Sequence, residues 1–191
     1  MLFQSGHEFA AQKAGKLRTM EETLILVDEL DREIGSAAKM AVHRKGSLHR
    51  AFSIFVTDSK GLLLLQRRAL SKYHSGGLWA NTCCGHPRPG ESIIDASHRR
   101  LKEEMGFDCG LTEIFAFTYR ATLTNNLIEH EVDHVLTGVY NGPPTPNARE
   151  VCDWKWIGIG ELKANLQQEP QRYASWLLAS FDRIASQLKR D

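Results

Sequence analysis

The residues best able to do chemistry fall in one window and one later triplet. The window runs Trp79-Ala-Asn-Thr-Cys-Cys-Gly-His-Pro-Arg-Pro-Gly-Glu91 and continues through Arg99-Arg-Leu-Lys-Glu-Glu-Met-Gly-Phe107. It combines thiols, an imidazole and several carboxylates in a glycine- and proline-rich loop that leads into a helix. Carboxylate oxygens suit Mg²⁺, which is usually held by one or two carboxylates together with phosphate oxygens and water. Ion pairs at i, i+4, Arg99–Glu103 and Arg100–Glu104, would explain the helix as an ordinary solvated one. They leave the preceding loop unexplained. The adjacent thiols of Cys83 and Cys84 cannot bridge each other without strain. The triplet is Glu129-His130-Glu131. Its glutamates are two apart, so on a strand they share a face, as two ligands of one ion must.

The elements that must position these groups read as follows. Thr23–Val27 is strand-like, Asp28–Asp31 is turn material, and Ser36–Val42 is expected as a short helix. A basic loop, His43 to His49, leads into a strand over Ala51–Thr57 with Phe52, Ile54 and Val56 on one face. Asp58-Ser-Lys-Gly61 makes the turn of a hairpin with Leu62–Arg67. Residues 71–90 are loop-rich. Glu91–Met105 is helical, with Ile94, His98, Leu101 and Met105 on one stripe and Gly106 as its stop. Ile114–Ala121 and Glu131–Tyr140 are strands around a polar turn at 124–126, and Val151–Ile157 is another. Helices are expected near Glu161–Gln167 and over Tyr173–Leu188. Strands interrupted by one central helix and closed by helices indicate an α/β or α+β layered domain with a mixed sheet.

Composition narrows the classes. The 191 residues hold 24 Lys+Arg against 23 Asp+Glu, a net charge of +1, so no large polyanion or membrane surface is an electrostatic partner. Hydrophobic content of 42% and charged content of 25% are ordinary globular values. No stretch reaches the roughly 20 apolar residues of a membrane span, and Met1–Met20 has no apolar core of a secretory signal. Cys83, Cys84, Cys109 and Cys152 are expected as reduced thiols, which implies a cytoplasmic location.

A glycine loop, Glu91 and a helix ending Glu103-Glu104-x-Gly106 together resemble the Nudix box, whose glutamates hold a divalent cation against a diphosphate. One position departs from the hydrolytic pattern: Arg100 stands where the hydrolases carry a glutamate. The departures match type 1 isopentenyl-diphosphate isomerases, a Nudix-fold family. Asn81-Thr-Cys-Cys-Gly-His-Pro87 and Ile128-Glu-His-Glu131 closely resemble its motifs, as do Leu48-His-Arg-Ala-Phe-Ser53, Gln66-Arg-Arg68 and Tyr119-Arg-Ala121. The resemblance implies a single Nudix-type domain over residues 23–191, a mixed β-sheet between helices, with an N-terminal extension over 1–22 and an added C-terminal helix.

The resemblance also implies roles. Cys84 and Glu131 match the acid/base pair that moves the double bond of isopentenyl diphosphate to give dimethylallyl diphosphate, with Tyr119 hydrogen-bonded to the glutamate. His43, His49, His86, Glu129 and Glu131 match a divalent-metal site, whose mixed imidazole and carboxylate set suits Mn²⁺ or Zn²⁺. Glu104, with the backbone carbonyl of Cys84, matches a Mg²⁺ site that bridges to the diphosphate. Lys39, Arg68, Lys72 and Arg100 match the cations around that diphosphate, and Trp176 matches an aromatic facing the substrate's apolar end. Ser175 stands where the family commonly has proline. His7, His74, His98, His130 and His134 are assigned no ligand role. The expected partner is a small diphosphate, with no nucleic acid and no membrane, and the chain is expected as a monomer or small homo-oligomer. A Nudix hydrolase of nucleoside diphosphate derivatives is disfavoured by Arg100 and by the Cys84/Glu131 pair. A catalytically silent binding module is disfavoured by retention of the whole residue set.

Overall fold

In the computed structural model, residues 21–188 are described. Nine strands and four α-helices are found among them: β1 (Thr23–Val27), β2 (Glu33–Ala38), α1 (Lys39–Lys45), β3 (His49–Thr57), β4 (Leu63–Arg68), β5 (Trp79–Ala80), β6 (Cys83–Gly85), α2 (Ile93–Met105), β7 (Leu111–Thr122), β8 (Ile128–Val139), β9 (Val151–Ile157), α3 (Ile159–Gln168) and α4 (Ser175–Gln187). Among the described residues no helix is long and apolar enough to cross a membrane.

Strand β3 is the hub. It pairs in parallel with β8 along its whole length, from His49 opposite Glu131 to Thr57 opposite Val139. It pairs antiparallel with β6, placing Ser53 opposite Cys84. β8 pairs antiparallel with β7, which puts Tyr119 opposite Glu131. β4 bridges β3 to β9 and β5.

Side chains alternate across β3, as a pleated strand requires. Phe52, Ile54 and Val56 pack with Cys83, Leu64 and Leu136 against Ala96, Leu101 and Met105 of α2. Phe55 packs with Leu63, Leu65 and Val135 against Leu162 of α3 and Leu177, Phe181 and Ile184 of α4. The expected sheet between helices is thus present, and Phe52, Ile54 and Val56 do share a face.

Helix α2 has clear ends. Ser92 caps its start by accepting from the Asp95 amide at 3.1 Å. Gly106 ends it in the left-handed region at φ 73°, its amide donating to the Lys102 carbonyl. The buried face is Ala96, Ser97, Leu101, Glu104 and Met105. The expected stripe is half right: Leu101 and Met105 are buried, while Ile94 is 39% exposed. Glu91 stays outside the helix, where its carboxylate takes two hydrogen bonds from Arg99, at 2.7 and 2.8 Å.

The helix expected over Ser36–Val42 is corrected. Residues Glu33–Ala38 form a strand paired with β1, and the helix begins only at Lys39. The small residues of Gly35-Ser-Ala-Ala38 carry no period-2 pattern because four of the six positions of β2 are exposed. The turn is set instead by Asp28, whose Oδ1 accepts from the amides of Leu30 and Arg32, both at 3.0 Å. Of the expected extension, residues 1–20 lie outside the described residues. Its last two, Glu21 and Glu22, line the cavity described next.

Candidate active site

A cavity of about 620 Å³ opens where β3, β6, β7 and β8 meet the starts of α1 and α4. Its wall carries as many carboxylates as cations.

At one end lie four buried groups, His43, His49, His86 and Glu131, whose ligand-type atoms all fall within 4.8 Å of one another. His43 Nε2 is 3.3 Å from His49 Nε2. Glu131 Oε1 is 3.1 Å from His86 Nε2 and 3.3 Å from His49 Nε2. The parallel register explains part of this, since His49 and Glu131 are Cα partners. His43 arrives from the last turn of α1, which Gly46 stops in the left-handed region at φ 68°. Burial lowers the His43 imidazole to about 3, helped by His86 and His49 and opposed by Glu131. Burial lowers His86 as well. Three imidazoles whose Nε2 atoms converge, together with one carboxylate, are a donor set that fits a borderline divalent ion.

Glu129 shares the strand face of Glu131 but stands beside this group. Its Oε2 is 3.1 Å from the Tyr119 hydroxyl and accepts from Ser175 Oγ at 3.4 Å. Its Oε1 is 3.7 Å from His74 Nε2. Burial, then the charge of Glu131, raises the Glu129 carboxyl to about 8. Burial also acts to raise Glu131, but hydrogen bonds from His49 and His86 hold it well below the usual carboxylate range.

Cys84 and Glu131 face the same cavity. In the β6 pairing Cys83 turns into the core beneath α2, and Cys84 turns the other way. Two buried side chains fix that short strand. Thr82 Oγ1 accepts from the Val56 amide at 2.9 Å and donates to the Leu64 carbonyl at 2.7 Å. Asn81 Nδ2 donates to the carbonyls of Ile54 and Cys83 at 3.0 and 2.7 Å, and Asn81 Oδ1 accepts from the indole of Trp176 at 2.8 Å. Burial pushes the Cys84 thiol up to about 12, opposed by Arg68 and reinforced by Glu104, Glu129 and Glu131. The thiol thus holds its proton at neutral pH. The Tyr119 hydroxyl donates to Glu131 Oε2 at 2.6 Å. Trp176, 3% exposed, packs with Cys84 and Tyr119. Ser175 is the first residue of α4, a helix position that proline and serine both accept.

The cations at the other end differ in their partners. Lys39 pairs with Glu22 at 2.7 Å, and Lys72 pairs with Glu150. Arg100 lies against Glu104, and 2.6 Å from Glu103. The second oxygen of Glu104 accepts from Gln66 Nε2 at 2.8 Å, so this carboxylate stands apart from the histidine group. Arg68 is 5% exposed and its guanidinium lies 5.1 Å from the Trp176 ring centroid. Its Nε is buried without a hydrogen-bond partner.

Four site residues escaped the sequence reading. His74 is buried against Trp176 and Glu129, and Tyr73 touches His43. Both lie in the loop between β4 and β5, where an aromatic–histidine pair beside Lys72 was the only signal. Glu150 and Glu22 pair with cations from distant segments, and nothing local in the sequence marks them.

A profile of the NUDIX domain matches residues 47–177. An isopentenyl-diphosphate Delta-isomerase 1 of Aromatoleum aromaticum is 55% identical over 172 residues, covering 90% of this chain and 97% of that protein. An isopentenyl-diphosphate Delta-isomerase 2 of Photorhabdus laumondii is 56% identical over 157 residues, covering 82% and 89%. The chain belongs to the isopentenyl-diphosphate isomerase family. Among solved structures, DR0079 of Deinococcus radiodurans superposes with a TM-score of 0.72 at 20% identity, covering 85% of this chain and 98% of that one. A MutT protein of Methanosarcina mazei gives 0.60 at 18%, covering 75% and 96%. At such identities the likeness is one of fold. Lys39 and His43, both on α1, precede the NUDIX match, whereas His49, His86 and Glu131 fall inside it. The metal-type group therefore combines the NUDIX core with a helix added before it, and the isomerase relatives span both.

Proposed function

We infer that this chain interconverts isopentenyl diphosphate and dimethylallyl diphosphate by adding a proton at C4 and removing one from C2. The observation that carries the reading is one cavity lined by the Cys84 thiol, the Glu131 carboxylate with its hydrogen bond from Tyr119, and the buried Trp176 indole. An alkene is a very weak base, so its protonation needs a positioned acid. The second proton must leave to a base on the other face of the allylic unit. Because the reaction is reversible, Cys84 and Glu131 each act as acid in one direction and base in the other. Tyr119 holds the Glu131 carboxylate in place. The tertiary cation at C3 faces Trp176, whose ring stabilises positive charge without attacking it.

The diphosphate is held by Arg68, Lys39, Lys72 and Arg100, arginine offering a planar fork and lysine a point charge. His43, His49, His86, Glu129 and Glu131 would hold a divalent ion such as Mn²⁺ or Zn²⁺, and Glu104 with the Cys84 carbonyl would hold Mg²⁺. Such ions supply positive charge that fixes the diphosphate and polarises the groups beside it. Arg100, in place of a hydrolytic glutamate, removes a carboxylate that water activation would use.

Incubation with isopentenyl diphosphate and Mg²⁺ tests the reading: dimethylallyl diphosphate is expected, and phosphate release with no such product overturns it. Cys84→Ala and Glu131→Gln are each expected to lower turnover by at least ~100-fold, the lower bound for losing a positioned acid or base. Full activity in either variant removes that residue from the mechanism.

A further inference from the structure

We propose that Tyr73 is a positioning residue for the histidine metal group, fixing the tautomer and ring orientation of His43. The inference rests on the reading that His43, His49, His86 and Glu131 bind a divalent ion.

A neutral imidazole carries one proton on two nitrogens. A cation at Nε2 takes that lone pair, so the proton must sit on Nδ1, where it needs an acceptor. For His49 the acceptor is the backbone carbonyl of Ser47, 2.9 Å from Nδ1. For His43 it is the Tyr73 hydroxyl oxygen, 3.2 Å from Nδ1. The Tyr73 ring also lies nearly parallel to the His43 ring, at 16° with centroids 6.0 Å apart, which limits its rotation. Tyr73 is itself held from several sides. Asn125 Nδ2 donates to its carbonyl at 3.2 Å. Its ring meets the edge of His74 at 4.3 Å and lies 5.5 Å from Lys39 Nζ. One neighbour on each side is anchored too, Lys72 on Glu150 and His74 against Trp176. The loop between β4 and β5 thus delivers a fixed acceptor to a ligand on α1. Serine 47's carbonyl cannot be deleted by substitution, but the tyrosine hydroxyl can. Partners of this kind, acting through a ligand, typically govern metal affinity by about 10–100-fold.

The test is titration of the chelator-stripped protein with Mn²⁺ in Mg²⁺-containing buffer, following free Mn²⁺ by electron paramagnetic resonance. The parent, Tyr73→Phe and His49→Gln are compared, with folding checked by circular dichroism and Glu131→Gln used if His49→Gln does not fold. Tyr73→Phe keeps the ring and its packing. It is expected to weaken Mn²⁺ binding 10–100-fold, with kcat restored at saturating Mn²⁺. Parent-like affinity in Tyr73→Phe, alongside loss in His49→Gln, overturns this inference and leaves the metal reading standing. A kcat that stays low at saturating Mn²⁺ also overturns it, because positioning of the ion would then not be the role. Parent-like affinity in His49→Gln overturns the metal reading itself.

Discussion

Asn81 has no reactive group, yet replacing it is expected to be among the most damaging changes near the site. It is fully buried and makes three hydrogen bonds: to the Ile54 carbonyl on β3, to the Cys83 carbonyl next to Cys84, and from the Trp176 indole on α4. Asn81→Ala removes all three at once and opens a small void. A buried group left without its partner costs about 1–3 kcal/mol. The indole N–H loses its partner outright and stands at the upper end. The two carbonyls keep a second lone pair and stand near 1 kcal/mol each. The sum is about 4–5 kcal/mol, a large share of a typical domain's 5–15 kcal/mol. Urea unfolding measures it. A double-mutant cycle with Trp176→Phe isolates the indole bond, and a coupling of about 1–2 kcal/mol is expected because the pair is in contact. Turnover should fall as well, since Cys84 and Trp176 lose their shared anchor. A loss below about 1 kcal/mol in Asn81→Ala, or additive effects in the cycle, would refute the view that this amide ties the thiol strand to the indole helix.

Three further outcomes follow from particular contacts. Gly106→Ala should lose at least about 2 kcal/mol by urea unfolding, because φ is 73° and an added Cβ would sit 2.2 Å from the Thr145 carbonyl oxygen; a change under half that contradicts the clash. Arg68→Gln should raise KM for the diphosphate substrate at least ~10-fold with a smaller change in kcat, the mark of a binding contact, whereas an unchanged KM removes Arg68 from diphosphate recognition. Burial, then Arg68, lowers His74 from 6.5 to about 2, so below pH 6.5 the unfolded chain binds the extra proton and stability falls with pH through the window from 6.5 towards 2. At about 1.36 kcal/mol per unit, some 2 kcal/mol goes between pH 6.5 and 5, and His74→Asn should lose that much less on acidification; equal losses in both proteins contradict the burial of a neutral ring.

How far the sequence foretold this site depended on whether the signal was local. The hairpin of β3 and β4 was legible because Asp58 and Gly61 make its turn: Asp58 Oδ1 accepts from the amides of Lys60 and Leu62, and Gly61 takes φ 77°. The end of α2 was legible because Gly106 alone among its neighbours tolerates the left-handed region. Strand β2 was not, since edge residues that bury little leave no periodicity. The residues carrying the family resemblance, His43, His49, His86 and Glu131, are assembled by the fold, but their meeting depends on the parallel register of β3 and β8. Register of that kind is a property of two distant segments and of neither alone. Glu150 was illegible for the same reason. It meets Lys72 because the Ala69 amide donates to its carbonyl and because β9 pairs with β4.

The near-zero net charge of the sequence recurs on the cavity wall, and this constrains how an anion is received. Lys39, Lys72 and Arg100 each already lie against a carboxylate, of Glu22, Glu150 and Glu104 respectively. A diphosphate reaching any of them must share the cation or displace the acid, so each returns less attraction than its charge suggests. Arg68 differs, because a buried donor without a partner carries a penalty in the free protein that an incoming phosphate oxygen relieves. Its stack on Trp176 links the same residue to the apolar end of the cavity. A divalent cation held by Glu104 would draw that carboxylate from Arg100 and add charge of its own, leaving the guanidinium free for the anion. Under the proposed function, Arg68 and a divalent ion are expected to contribute most to affinity for the diphosphate, and Lys39 and Lys72, still paired with Glu22 and Glu150, less.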